Sequence, residues 1–159
     1  MSITHLPYGE GAWFAIPLAG GTRWATGLVA RAGESGGILF GYFFGPARER
    51  ALSLADTADL KAEDATMLAL FSDTALVKGE WPVVGAHPAW QRARWPMPTF
   101  RWDDHALRQV SLVEHSEDMP VTEVSIARVE PGEAAGHPPN TVLGCADVEA
   151  SLGRLLRAD

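Results

Sequence analysis

The sequence predicts an α+β protein, with a mainly antiparallel curled sheet or partial β-barrel followed by a C-terminal amphipathic helix. Three apolar runs between residues 11 and 45 are rich in strand-forming side chains and are separated by glycine-rich turns. Gly27 and Gly41 interrupt the second and third runs, and mid-strand glycines relieve crowding where a sheet bends. With 159 residues, the chain is long enough to form a single domain with its own core over residues 1–159.

A three-stranded meander is predicted for residues 11–45, after a loose leader at residues 1–10. Its strands are Ala12–Leu18, Arg23–Arg31 and Ile38–Phe44. Side chains alternate between the two faces of a strand, so Trp13 and Phe14 should point in opposite directions. The Gly20-Gly21 pair allows the positive φ angles of a tight hairpin turn between the first two strands.

Shorter elements are predicted beyond the meander, because the apolar stretches are brief and turn residues are frequent. Residues 46–64 form a loop with one short helical turn, and residues 131–140 form a loop rich in proline and glycine. The predicted strands are residues 66–71, 81–84, 106–115 and 121–129.

The C-terminal helix is predicted for residues 146–157. Apolar side chains at positions 148, 152, 155 and 156 fall on one stripe, which we expect to pack against the sheet. Acidic residues lie near the start of the helix and arginines near its end, as the helix dipole favours.

The composition excludes several classes of function. A formal net charge of −7 argues against general nucleic-acid binding, which needs a basic face, but it suits a basic protein partner. The single cysteine, Cys145, cannot form an intramolecular disulfide. No apolar run reaches the roughly 18 residues of a membrane helix, and the N-terminus has no signal-peptide pattern. We therefore expect a soluble cytoplasmic protein that binds neither membranes nor a cofactor.

Residues 85–102 are the strongest candidate for a partner-binding segment. Three prolines, three tryptophans and three arginines favour an ordered loop over a central strand or long helix. The candidate partner-binding residues are Trp90, Arg92, Arg94, Trp95, Arg101 and Trp102. Tryptophan and arginine dominate interface hot spots. The alternative interpretation is that the rings fill the core and the arginines stack on them or pair with acids, which is the commoner fate of large aromatics.

Catalytic and metal-binding patterns are weak. The run Gly33–Gly37 fits the letters of G-x-S-x-G, but it lies between two strands rather than before a helix, so a hairpin turn is the better interpretation. Cys145 could pair with His137 only if the fold brings them together. Short acidic clusters beside His105 and His115 lack established metal-ligand spacing and are typical of solvated turns.

Three segments of the meander resemble the immunity protein 26 family of bacterial polymorphic toxin systems. They are Gly11–Leu18 with its Phe-Ala-Ile-Pro-Leu ending, Trp24–Val29 with its mid-strand glycine, and Ile38–Phe43. The later segments Gly79–Gly85 and Arg94–Pro98 are similar to members with a longer C-terminal part. The resemblance implies an α+β fold, a role as a toxin antagonist and no catalytic residues.

The leading hypothesis is therefore a non-catalytic immunity protein that binds and neutralises a cognate toxin, which would be basic. The alternatives are a small β-rich protein-binding module unrelated to toxins, and a hydrolase that uses His115 or His137 with nearby acids. A homodimer is a further arrangement that the sequence allows, through an open sheet edge at the first or third strand.

Overall fold

The structure is a computed structural model that describes residues 5–157, and in this part of the chain nine strands form two sheets flanked by two helices. The strands are β1 Ala12–Leu18, β2 Arg23–Arg31, β3 Ile38–Arg48, β4 Met67–Ser72, β5 Val83–Ala86, β6 Phe100–Asp104, β7 Gln109–His115, β8 Glu123–Val129 and β9 Val142–Leu143. The helices are α1 Thr74–Lys78 and α2 Cys145–Leu155. The α+β class with a C-terminal helix is confirmed.

The larger sheet has the order β5-β1-β2-β3-β4-β9, and all of its neighbours are antiparallel except β4 and β9. The register between β2 and β3 shifts at two places, and such bulges increase twist and bend a sheet. The predicted curled sheet is therefore confirmed. Its end strands β5 and β9 do not pair, so within residues 5–157 the sheet does not close into a barrel.

A second sheet, with the order β6-β7-β8, is a feature that the sequence did not separate from the first. Its strand β6 begins inside the predicted loop 85–102. The proline-rich part of that loop ends at Pro98, and Phe100 is then free to enter a strand at the edge of the new sheet.

The first face of the larger sheet is covered by both helices. Phe14 stacks on Trp81, with ring centroids 5.7 Å apart and planes 4° apart. Val148 and Leu152 of α2 are fully buried in the same apolar cluster. A Cβ at Gly27 would lie 2.3 Å from the Phe14 ring, so this glycine makes room for an aromatic side chain on the neighbouring strand.

The opposite face of the larger sheet carries a second apolar cluster. It includes Trp13, Phe40, Tyr42 and Phe44, together with Phe100 from the second sheet. Because the sheet is buried on both faces, β2 and β3 are apolar on both sides, which explains the nearly continuous apolar runs of the meander. The prediction that Trp13 and Phe14 point to opposite faces is confirmed.

Several local expectations need correction. Residues 1–4 of the predicted loose leader lie outside the described residues, but Tyr8 is buried and its hydroxyl donates to Asp73 Oδ2 at 2.6 Å. Helix α2 begins one residue earlier than predicted and ends at Leu155, which is 53% exposed instead of packing on the sheet. The five-residue helix α1 was not predicted, since its short apolar run lies between turn residues.

The expected open edges at the first and third strands are also closed. β1 lies between β5 and β2, and β3 lies between β2 and β4. Residues 46–64 hold two 3₁₀ turns, Ala55–Thr57 and Ala62–Asp64, instead of one. No helix among residues 5–157 combines the length and apolar character needed to cross a membrane.

Candidate functional site

Trp95 is the aromatic centre of the segment 85–102, and it belongs to the core. It is 8% exposed, and its ring meets Trp13, Tyr42 and Phe44 edge-on at centroid distances of 5.7, 5.2 and 6.0 Å. Tyr42 donates its hydroxyl hydrogen bond to the carbonyl oxygen of Pro96, which ties the segment to β3. The position of Trp95 therefore agrees with the interpretation that this ring fills the core.

Trp90 is half-buried and lies between the core and the surface. Its ring stacks on Trp95 with centroids 6.5 Å and planes 11° apart, and its Nε1 donates to Glu10 Oε2 at 2.9 Å. Gly11 packs against this ring, since a Cβ there would lie 2.9 Å from it, and the φ of +91° at Gly11 also favours glycine. The indole is therefore fixed in place, with its remaining surface available to a ligand.

Arg92 connects three parts of the chain. Its guanidinium donates to Glu10 Oε1 at 2.6 Å and to Asp118 Oδ1 at 3.0 Å. Hydrogen bonds to Glu10 and Asp118 raise the pKa of Arg92 above its ordinary value. Arg31 makes a parallel link, because it is 1% exposed and bonds Glu117 Oε1 at 2.8 Å. These ion pairs hold the turn between β7 and β8 against β2 of the larger sheet and against the segment 85–102.

Arg101 and Trp102 lie on β6, in the second sheet. Arg101 pairs with Asp103 Oδ2 at 3.0 Å, and its hydrogen bonds lower the pKa of that carboxyl group. Trp102 is 43% exposed on the second sheet. Arg94 is exposed, and its guanidinium makes no hydrogen bond or ion pair with any other side chain among residues 5–157. Of the six candidates, Arg94, Trp102 and part of Trp90 are therefore available for contact.

A cleft of about 1070 Å³ opens beside the segment. Trp13, Trp90 and Trp95 contribute to its lining, and its remaining wall comes from residues 57–63 and 87–91 with Gly11 and Arg94. Aromatic rings thus lie beside charged side chains of both signs, from Asp59, Lys61, Glu63 and Arg94. Such a mixture suits an apolar side chain that carries a polar end.

A hydrogen bond joins the two walls of the cleft. Thr57 is buried and donates its hydroxyl to the carbonyl oxygen of Leu54 at 2.6 Å. Its oxygen is therefore left as the acceptor for His87 Nε2, 2.9 Å away, which places the proton of the imidazole on Nε2. Sequence analysis missed this wall, because residues 57–63 carry no motif and reach the cleft only through the fold.

The structure does not bring Cys145 and the histidines considered for catalysis into hydrogen-bond contact with one another. His137 Nδ1 lies 3.0 Å from Thr99 Oγ1, whereas Cys145 Sγ accepts from the Ala75 N–H at 3.3 Å. Burial raises the pKa of the Cys145 thiol. Both ring nitrogens of His115 face oxygen acceptors, Pro120 O at 2.7 Å and Asn140 Oδ1 at 2.6 Å. No histidine of residues 5–157 is hydrogen bonded to a carboxylate or to Cys145.

The weak motifs have structural roles. The run Gly33–Gly37 forms the turn between β2 and β3, closed by a hydrogen bond from Gly36 N to Gly33 O at 3.1 Å, and no helix follows it. Three or more His, Cys, Asp or Glu side chains in a metal-binding arrangement are not found in the described part of the chain.

The structure is that of a small α+β protein whose surface carries a cleft lined by aromatic rings. The chain belongs to the immunity protein 26 family, whose model matches residues 9–111, nearly two thirds of the sequence. This match confirms the resemblance carried by the meander, and it makes the chain a member of a family of immunity proteins. Comparisons with curated proteins and with solved structures find no match.

Proposed function

We propose that this protein is a non-catalytic cytoplasmic immunity protein that binds a cognate toxin and neutralises it. Binding would cover the active site of the toxin or block the approach of its substrate. The observation that carries the proposal is the family match over residues 9–111. The net charge of −7 supports a basic toxin, since complementary charge accelerates association and favours the correct partner.

The cleft and the exposed residues beside it supply the contact surface in this proposal. Arg94 projects from the rim and Trp90 offers a stacked indole face, a pairing that is common among interface hot spots. Trp102 adds an exposed ring on the second sheet. Trp95 and Arg92 act indirectly, because their contacts within the chain hold that surface in shape. Arg101 pairs with Asp103 on β6 and lies beside Trp102 in the chain, so it would contribute through the second sheet.

The direct test is co-expression with the product of the adjacent toxin gene. We expect cells to survive, and the two proteins to be recovered as one complex in a pull-down. A lack of both protection and complex formation would refute the proposal. The alternative, a binding module outside toxin systems, predicts that no toxin gene lies beside this one.

Arg94→Ala tests whether the cleft contacts the toxin. We expect the Kd to rise about tenfold, which is typical of losing one central interface arginine. The melting temperature should stay nearly constant, because the Arg94 side chain is exposed and has no hydrogen-bond or ion-pair partner in the described part of the chain. Titration calorimetry with purified toxin and a thermal melt give the two readouts.

The matched control is Arg23→Ala, which removes another exposed arginine, at the first position of β2 and outside the cleft. It should leave both the Kd and the melting temperature unchanged. Unaltered toxin binding by Arg94→Ala would show that the cleft rim is not part of the interface. A large drop in its melting temperature would instead assign Arg94 a structural role.

A further inference from the structure

β8 is open to solvent along its outer edge. It pairs with β7 on one side and has no strand neighbour on the other among residues 5–157. Six of its seven residues are exposed. An edge strand presents unpaired N–H and C=O groups, and an extended segment of another protein can pair with them as an added strand.

The opposite edge of the same sheet is covered. The Arg101 N–H of β6 donates to Pro138 O at 2.8 Å, and the Asn140 N–H donates to Arg101 O at 2.7 Å. The chain thus uses its own segment to close one edge and leaves the edge at β8 free. β8 also contains no proline and no lysine, two of the residues that commonly protect edge strands from pairing.

Apolar side chains accompany this open backbone. Val124 and Ile126, two positions apart, are 58% and 57% exposed. Met119 and Val121, in the turn before β8, are 56% and 59% exposed. Side chains two apart share one face of a strand, so an added strand could bury Val124 and Ile126 together.

The turn that leads into β8 is held firmly. His115 contacts Pro120 O and Asn140 Oδ1, while Glu117 and Asp118 pair with Arg31 and Arg92. A strand that is ordered before binding loses less conformational entropy when a partner adds to it.

The charge around β8 indicates which partner fits. Residues 114–133 contain six carboxylates and a single arginine, Arg128. Glu114, Glu123, Glu130 and Glu133 are exposed and form no ion pair in the described part of the chain. A second copy of this chain would place the same carboxylates against one another, so electrostatics disfavours a homodimer through this edge.

We infer that β8 binds an extended, basic segment of the toxin by β-strand addition. Main-chain hydrogen bonds along the free edge supply pairing, Val124 and Ile126 supply apolar contact, and the surrounding carboxylates select lysine and arginine. The inference rests on the proposed function. The family model ends at residue 111, within β7, so family membership does not account for this edge.

The test compares Val124→Asp with the matched control Val77→Asp, using the full chain and the purified toxin. Val77 is 52% exposed on α1, and α1 packs on the face of the larger sheet opposite to the face that contacts the second sheet. We expect Val124→Asp to raise the Kd about tenfold or more, because the apolar contact is lost and a carboxylate is desolvated in its place, and Val77→Asp to leave it unchanged. Circular dichroism melts verify that each variant is folded.

A second variant pair tests the charge selection without altering β8 itself. Glu130→Lys should slow association and weaken the salt dependence of binding, whereas Glu80→Lys, beyond α1, should do neither. Binding of all four variants with the wild-type Kd would overturn the inference and leave the proposed function intact. Wild-type protein that neither binds nor protects would overturn the proposed function itself. A stable dimer of the free protein that Val124→Asp dissolves would assign the edge to a second copy.

Discussion

Replacement of Trp95 by alanine is the sharpest test of the architecture, because it separates the two interpretations of the tryptophan-rich segment. Trp95 is 8% exposed and contacts three other aromatic side chains at centroid distances of 6.0 Å or less. Burying a side chain of roughly 150–250 Å² at about 25 cal/mol per Å² contributes about 4–6 kcal/mol. Measured losses for buried Trp→Ala are about 3–5 kcal/mol, since the cavity partly collapses. We therefore expect a loss of about 4 kcal/mol.

Thermal and urea unfolding of the variant measure this loss. For a domain of this size, 1 kcal/mol lowers the melting temperature by roughly 2–4 °C, so Trp95→Ala should lower it by about 8–16 °C. Trp102→Ala is the matched control, because Trp102 is 43% exposed and its removal should cost less than half as much. A loss below about 1 kcal/mol for Trp95→Ala would refute the claim that this ring is part of the core.

Two further predictions concern the sheet. Gly27→Ala should destabilise the fold by about 1–3 kcal/mol, since the new Cβ would lie 2.3 Å from the buried Phe14 ring; an unchanged urea midpoint would contradict this close packing. Burial raises the pKa of Tyr42 from 10.0 to about 12, so this phenol contributes stability that is complete below pH 10 and is lost as the pH rises through about 12. Tyr42→Phe should therefore be about 1 kcal/mol less stable than the wild-type protein at neutral pH, through loss of the hydrogen bond to Pro96. Between pH 10 and 12 the variant should lose less stability than the wild-type protein. Equal losses for the two proteins in urea titrations over this pH range would exclude the Tyr42 phenol as the cause.

The meander could be predicted because its determinants are local. Alternation with period two placed Trp13 and Phe14 on opposite faces, and glycine pairs marked the turns. The same logic failed at Leu155, which continues the apolar stripe of α2 but is 53% exposed, whereas the next residue, Leu156, packs against the cluster that holds Leu152. A stripe predicts which face of a helix is apolar, whereas the positions on that face that are actually covered depend on the partner element.

The cleft could not be predicted because its walls meet only in the folded chain. Thr57 and His87 are 30 positions apart and carry no shared motif, yet a hydrogen bond between their side chains joins the two walls. Likewise, Trp95 and Trp102 have similar neighbours in the sequence, but Trp95 is buried in the core whereas Trp102, on β6, is 43% exposed. The separate second sheet was missed for the same reason, since pairing partners are chosen by tertiary contacts.

The C-terminal part of the chain has a consequence for how far this chain could be shortened. β9 pairs with β4, and α2 places Val148 and Leu152 in the same cluster as Phe14 and Phe71, although all of these C-terminal residues lie beyond the family match. The segment that the family model matches is therefore packed against residues that lie outside it. The β7–β8 hairpin, residues 109–129, is also tied to the rest of the chain, since β7 pairs with β6 and Val113 is 1% exposed. A shortened chain that keeps only the matched residues would therefore leave Phe14 and Phe71 without the cover that α2 gives them, so α2 is the closing element of this scaffold.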